Sequence, residues 1–229
     1  MLFNEYYKII FYIADLNPVV LILSFIIGLY GYKRLNDLHK NVLYYLVLML
    51  CVDMLGRLLA AIYGANIIVL PLYSLIEMLF FLYFYNKYLF LKPSKVFIGL
   101  GIAGALYIIA EITQYFILET LNLKQYQPYA KVVDNFVIIL MTLTFFYQKI
   151  DSFNETRWDN FKLNMVILIY FTINTLVFLP FNFLVNESSG VKFYFLTGNV
   201  FMTFFFYVYL TSLIWKNGTA NKKISGHNI

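Results

Sequence analysis

Seven stretches of this chain stay apolar for close to the roughly 20 residues a helix needs to cross a bilayer, and each ends in a polar or basic segment. They run from Leu16 to Tyr32, Val42 to Tyr63, Ile67 to Phe90, Val96 to Leu118, Tyr129 to Tyr147, Phe161 to Phe181 and Phe193 to Trp215. Hydrocarbon offers no water to backbone N–H and C=O groups, so segments of this kind must bond internally, as helices. Apolar residues make up 62% of the 229 and charged residues 13%, about half the charged share of a soluble protein. A water-soluble domain of this size could not cover so much apolar surface. The expected fold is all-α: a polytopic membrane protein with seven transmembrane helices. That excludes a soluble enzyme, a nucleic-acid-binding domain and a secreted disulfide scaffold.

Residues 1–15 read as an interfacial lead-in, because Glu5 and Lys8 lie among aromatics where a cleaved signal would need an uninterrupted apolar run. Residues 16–215 read as a single seven-helix bundle, and 216–229 as a short basic cytoplasmic tail. The net charge of +5 follows from loop bias. Twelve of the 17 lysines and arginines fall on the side of the first, third and fifth loops and the tail, in those segments or at the adjoining span ends; Lys8, Lys124 and Lys192 fall on the other side, and Arg57 and Lys131 deeper within spans. Basic residues collect on the cytoplasmic side, so the N-terminus is expected outside and the C-terminus in the cytoplasm. The loops are too short to fold into an output domain. One cysteine, Cys51, and two histidines, His39 and His227, make no disulfide and no zinc site, and no cofactor is expected.

Ionisable and amide side chains at bilayer depth are costly, so each is a candidate site residue. Asp53 and Arg57 stand one turn apart in the second span, Glu77 follows Ser74 in the third, and Glu111 and Gln114 share a face in the fourth. Lys131, Asp134 and Asn135 lie together in the fifth, with Asn174 in the sixth and Asn199 in the seventh. At about 1.5 Å per residue these fall at similar depth, mostly in the outer half. The expected ligand-binding set is therefore Asp53, Arg57, Glu77, Glu111, Gln114, Lys131, Asp134, Asn174 and Asn199, lining a pocket open to the outside. Spacing makes Asp53–Arg57 and Lys131–Asp134 local pairs and leaves Glu77 and Glu111 without sequence-local partners, with Arg57 within reach of Glu77 across a tight hairpin. The competing reading is that these groups only hold helices together. The last span has no lysine for a retinal Schiff base, and no proline stands closely before paired acids as in lycopene cyclase membrane domains.

Three further patterns carry a resemblance. The third span reads Leu75-Ile76-Glu77-Met78-Leu79-Phe80-Phe81 before Lys87; the sixth reads Tyr170-Phe171-Thr172-Ile173-Asn174; the last has Asn199 near its start and ends Trp215-Lys216. Over about residues 67–216 the chain resembles a group of small seven-helix membrane proteins of Bacteroidetes, similar to membrane input modules associated with sensor histidine kinases. It departs from them in lacking an aromatic cluster at the start of the sixth span beyond Phe161. The resemblance implies sensing, with a histidine kinase or other signalling protein as partner in trans.

The expected function is thus a non-enzymatic sensor or receptor-like module. It would bind a small ligand, cation or proton in the outer-half pocket and signal to a separate partner, with membrane lipid around it, self-association as a further option and no nucleic acid. The alternatives are a small-solute or ion transporter or channel, or a pore-forming effector.

Overall fold

A computed structural model of the chain describes residues 14–64, 67–118, 126–151, 160–186 and 191–224. Among these residues there are helices and no strand. Helix α1 spans Leu16–Gly31, α2 Asp37–Tyr63, α3 Val69–Phe84, α4 Lys95–Ile112, α5 Tyr129–Asp151, α6 Phe161–Phe178, α7 Phe181–Asn186 and α8 Val191–Ile224. All but the six-residue α7 belong to segments long and apolar enough to cross a membrane, seven in number among the described residues. The lead-in expected at the start of the chain falls almost wholly outside the described residues, as do Ala65 and Asn66 of the expected second-to-third hairpin turn.

Several helices run past their apolar runs, and in each case local bonding explains it. Helix α2 begins five residues before Val42 because the Asn36 side chain accepts the His39 backbone N–H at 2.9 Å, capping a polar first turn. It stops at Gly64, which takes φ +72°, a left-handed conformation that glycine adopts without cost. Helices α3 and α4 each continue as a π-type turn, Tyr85–Leu89 and Thr113–Ile117. Helix α8 carries on through Trp215 to Ile224, into the segment read as a tail.

Packing groups the described residues into two compact units, 14–64 with 200–224, and those between 67 and 199. In the first unit, α1 turns small and polar residues inward (Ser24, Gly28, Gly31) and leaves Val19, Ile22, Leu23, Ile26 and Leu29 uncovered. Water would make that arrangement unstable, while lipid makes it ordinary. Ser24 Oγ lies 2.5 Å from Thr211 Oγ1, and a Cβ on Gly31 would stand 3.2 Å from the Gly218 Cα, so α1 and α8 approach backbone to backbone.

In the second unit α5 is the interior helix: half of its apolar window is buried, the largest share of any span. It packs on α3, α4 and α6. Helix α4 brings Gly101 and Gly104 to α3, where a Cβ on Gly104 would stand 2.9 Å from Met78 Sδ. Hydrogen bonds fix the register of α5 and α6. Gln127 Nε2, just before α5, donates to the carbonyls of Phe178 (2.7 Å) and Leu179 (2.6 Å) at the end of α6. Fifteen residues further along, Thr142 meets the same Tyr85 hydroxyl as Asn164. The two helices are therefore antiparallel, with Lys131 level with Asn174 and Asn135 level with Tyr170.

Candidate functional site

Residues i, i+3 and i+4 share a helix face. On α5 that rule sets Lys131, Asp134 and Asn135 side by side, and all three are at most 1% exposed. A lysine held this far inside a protein needs charge compensation. It has two sources. Lys131 Nζ donates to Asp134 Oδ2 at 2.7 Å and to Glu77 Oε2 on α3. The ammonium also lies over the Tyr73 ring, 4.4 Å from its centroid, with Phe171 of α6 at 5.6 Å, a cation–π arrangement. Tyr73 stands one turn before Glu77, and its hydroxyl donates to Glu77 Oε1 at 2.8 Å. Both Glu77 oxygens are thus engaged. Asp134 is not so well served: its Oδ1 is buried and meets no hydrogen-bond partner. Neither does either end of the Asn135 carboxamide, nor Nδ2 of Asn174, which is 2% exposed.

This gathers four of the nine sequence candidates, on three helices, into a plainer picture. Glu77, Lys131 and Asp134 form a triad in which Lys131 joins Asp134 on its own helix to Glu77 on α3, and Asn174 lies at about its level on α6. The triad is sealed by protein, so no pocket open to the outside is formed by these three side chains. Glu77 takes Lys131 as its cation rather than Arg57.

Glu111 has a different role. Its Oε2 accepts the backbone N–H of Ala130 at 2.7 Å, in the first turn of α5, and the Tyr126 hydroxyl lies 3.4 Å from Oε1. A carboxylate there satisfies an orphan helix N–H and faces the positive end of the helix dipole. Gln114, three residues on, is exposed. The π-type turn that starts at Thr113 has more residues per turn than an α-helix, so it carries Gln114 off the Glu111 face. Asn199 is half-buried on α8.

Asp53 and Arg57 belong to the first unit. Arg57 Nε donates to Asp53 Oδ2 at 2.8 Å, and Nη1 donates to Asp15 Oδ1 at 2.6 Å, joining α2 to the entry of α1. Protein leaves 42% of the Arg57 side chain uncovered. It stands about 9 Å before the end of α2, by the rise per residue.

Sequence reasoning missed Tyr73, Gln127 and a second buried polar group. In that group the Tyr85 hydroxyl donates to Asn164 Oδ1 at 2.7 Å and lies 2.7 Å from Thr142 Oγ1. Tyr73 could have been found from its four-residue spacing to Glu77. Tyr85 could not, among 21 tyrosines. At the end of α3 an open cavity of about 430 Å³ is lined by Leu79, Leu82, Asn86 and Ile98, with Lys87 stacked on Tyr83. Among the described residues no group of three or more His, Cys, Asp or Glu could hold a metal ion. No protein family, curated protein or solved structure matches the chain.

Proposed function

We propose that this chain is a non-enzymatic, receptor-like sensor of a bacterial inner membrane, with its N-terminus outside and its C-terminus in the cytoplasm. The observation that carries the reading is Lys131, one ammonium shared by a carboxylate on its own helix and a carboxylate on α3. A shared cation has two alternative pairings, and a ligand that takes one carboxylate leaves it with the other. Such a choice is the kind of two-state element that differential binding can bias. Ionisable groups kept at bilayer depth against their cost favour a working site over simple glue. The change in pairing moves α3 against α5, and the basic face at the other end of these helices is where a signalling protein, a histidine kinase by the sequence resemblance, would read it.

Transport is the second reading, and the orphaned amides of Asn135 and Asn174 favour it: a sealed site with unused polar atoms is what an occluded solute would occupy. Mild cross-linking in native membranes, affinity purification and mass spectrometry separate the two. A co-purifying signalling protein whose output changes with Glu77→Gln and Lys131→Met supports sensing. Recovery of the chain alone, with solute flux in proteoliposomes, moves the assignment to transport.

A further inference from the structure

We infer that the open cavity at the end of α3 is a binding site for one anionic phospholipid, its phosphate on Lys87 and an acyl chain along Leu79, Leu82 and Ile98. The inference goes beyond the sensor reading and does not depend on it. Shape is the first argument. The cavity holds about 430 Å³ and is bounded by α3, by Pro93 of the turn that follows and by Ile98 in the first turn of α4. That volume is in the range of small-molecule sites. Leu79 and Lys87 are eight residues apart, so the wall runs about 12 Å along α3. A hydrocarbon core of roughly 30 Å makes this most of one leaflet's share. Leu79 and Ile98 are exposed, and Lys87 stands near the end of its apolar segment, Val69–Leu89. The groove thus leads from headgroup level into the hydrocarbon.

Local bonding holds the groove's walls in place. The Asn86 side chain donates from Nδ2 to the Leu82 carbonyl at 2.8 Å and accepts the Ser94 N–H at Oδ1 at 2.7 Å. The Ser94 carbonyl in turn accepts the Ile98 N–H at 3.1 Å. Leu82 also packs against Gly101 of α4, where a Cβ would collide with it. The turn is therefore tied to α3 on one side and to α4 on the other, with the cavity between.

Charge is the second argument. Between Glu77 and Glu111 the chain carries Lys87, Lys92 and Lys95 and no acid. Lys87 is the lysine that lines the cavity. Its Nζ donates to the Tyr83 hydroxyl at 2.7 Å and lies 5.1 and 5.4 Å from the centroids of Tyr83 and Tyr88. Two rings hold the ammonium at the polar end of an apolar groove, and among the described residues no carboxylate pairs with it. A neutral lipid would leave that charge unmatched, and a soluble anion would leave the leucine wall uncovered. A phospholipid with an anionic headgroup answers both, as in other basic pockets between membrane helices.

The test uses the full chain, purified in mild detergent and stripped of co-purified lipid. It is titrated with dioleoyl phosphatidylglycerol or dioleoyl phosphatidylcholine at constant ionic strength and read by native mass spectrometry. One phosphatidylglycerol per chain should bind at least tenfold tighter than phosphatidylcholine. At a hundredfold excess over Kd it should raise the unfolding midpoint by about 5 °C or more, because it bridges α3 and α4. Lys87→Gln should weaken phosphatidylglycerol about fivefold or more, the worth of one lysine at an anionic lipid surface, and leave phosphatidylcholine unchanged. Lys92→Gln with Lys95→Gln removes twice the charge outside the cavity and should cost less than Lys87→Gln alone. Leu79→Trp fills the groove from an exposed position and should weaken phosphatidylglycerol with Lys87 still in place. Equal binding of the two lipids overturns the site, as does phosphatidylglycerol binding that Lys87→Gln or Leu79→Trp leaves intact. A larger loss from the double variant than from Lys87→Gln overturns it too, in favour of diffuse attraction. Oleate binding as tightly as phosphatidylglycerol would replace the phospholipid by a fatty acid.

Discussion

Replacing Lys131 by methionine keeps the length and apolar bulk of the side chain and deletes only its charge. The bonds on either side predict an uneven result. Asp134 loses the ammonium from Oδ2 while its Oδ1 already has no partner; Glu77 loses it from Oε2 but keeps the Tyr73 hydroxyl on Oε1. Removing one member of a buried ion pair costs about 3–5 kcal/mol, most of it the uncompensated charge left behind. For a chain of this size that corresponds to a fall of roughly 6–20 °C in the unfolding midpoint. The stranded charge is mainly on Asp134, so Lys131→Met with Asp134→Asn should regain at least half of the loss. Lys131→Met with Glu77→Gln should regain much less. Heating purified protein in detergent and following the monodisperse peak by size exclusion measures all three. A midpoint for Lys131→Met within about 2 °C of the unaltered chain would refute the reasoning, as would equal rescue by both second changes.

Tyr85→Phe removes the donor to the buried Asn164 Oδ1 and should cost about 1–3 kcal/mol in the same heating assay, the penalty for an orphaned acceptor. Gly64→Ala forces a Cβ into a left-handed backbone with open space around it, so strain alone should lower stability by about 1–2 kcal/mol, and Gly64→Asn by less. In a Cys51→Ser background, Asn186→Cys should react with an impermeant maleimide in intact cells and Lys92→Cys only after permeabilisation; the reverse pattern would invert the orientation inferred from basic residues.

The apolar runs were enough to place seven helices, because hydrocarbon imposes length and hydropathy on each segment separately. Helix ends were less legible. Val42 looked like a start because the turn before it is polar, and the side-chain cap at Asn36 that makes that turn helical is a detail of a few atoms. The site was half legible. Glu77, Lys131, Asp134 and Asn174 stood out because charge and amide groups are conspicuous in an apolar background. Their partners did not, because Glu77 and Lys131 are 54 residues apart and nothing in the spacing says which helices touch. Glu111 shows the limit most clearly. Nothing in its spacing shows the Ala130 N–H that its Oε2 accepts at 2.7 Å, on another helix.

The backbone contact between Gly31 and Gly218 has a consequence for how the protein is made. Helix α1 leaves the ribosome well before α8, yet the surface it packs on at Ser24 and Gly31 belongs to α8. The second unit is continuous in sequence and ends at Asn199, in the first turns of α8, so it can close before the rest of that helix is made. The first unit has to hold α1 and α2 in lipid until the rest of the chain has been synthesised. During that wait Gly28 of α1 packs on Leu43 of α2 but Ser24 and Gly31 are uncovered, and the pairing is completed only when α8 arrives. A chain interrupted anywhere before α8 would therefore present Ser24 and Gly31 to other helices in the membrane, an opening for non-native pairing.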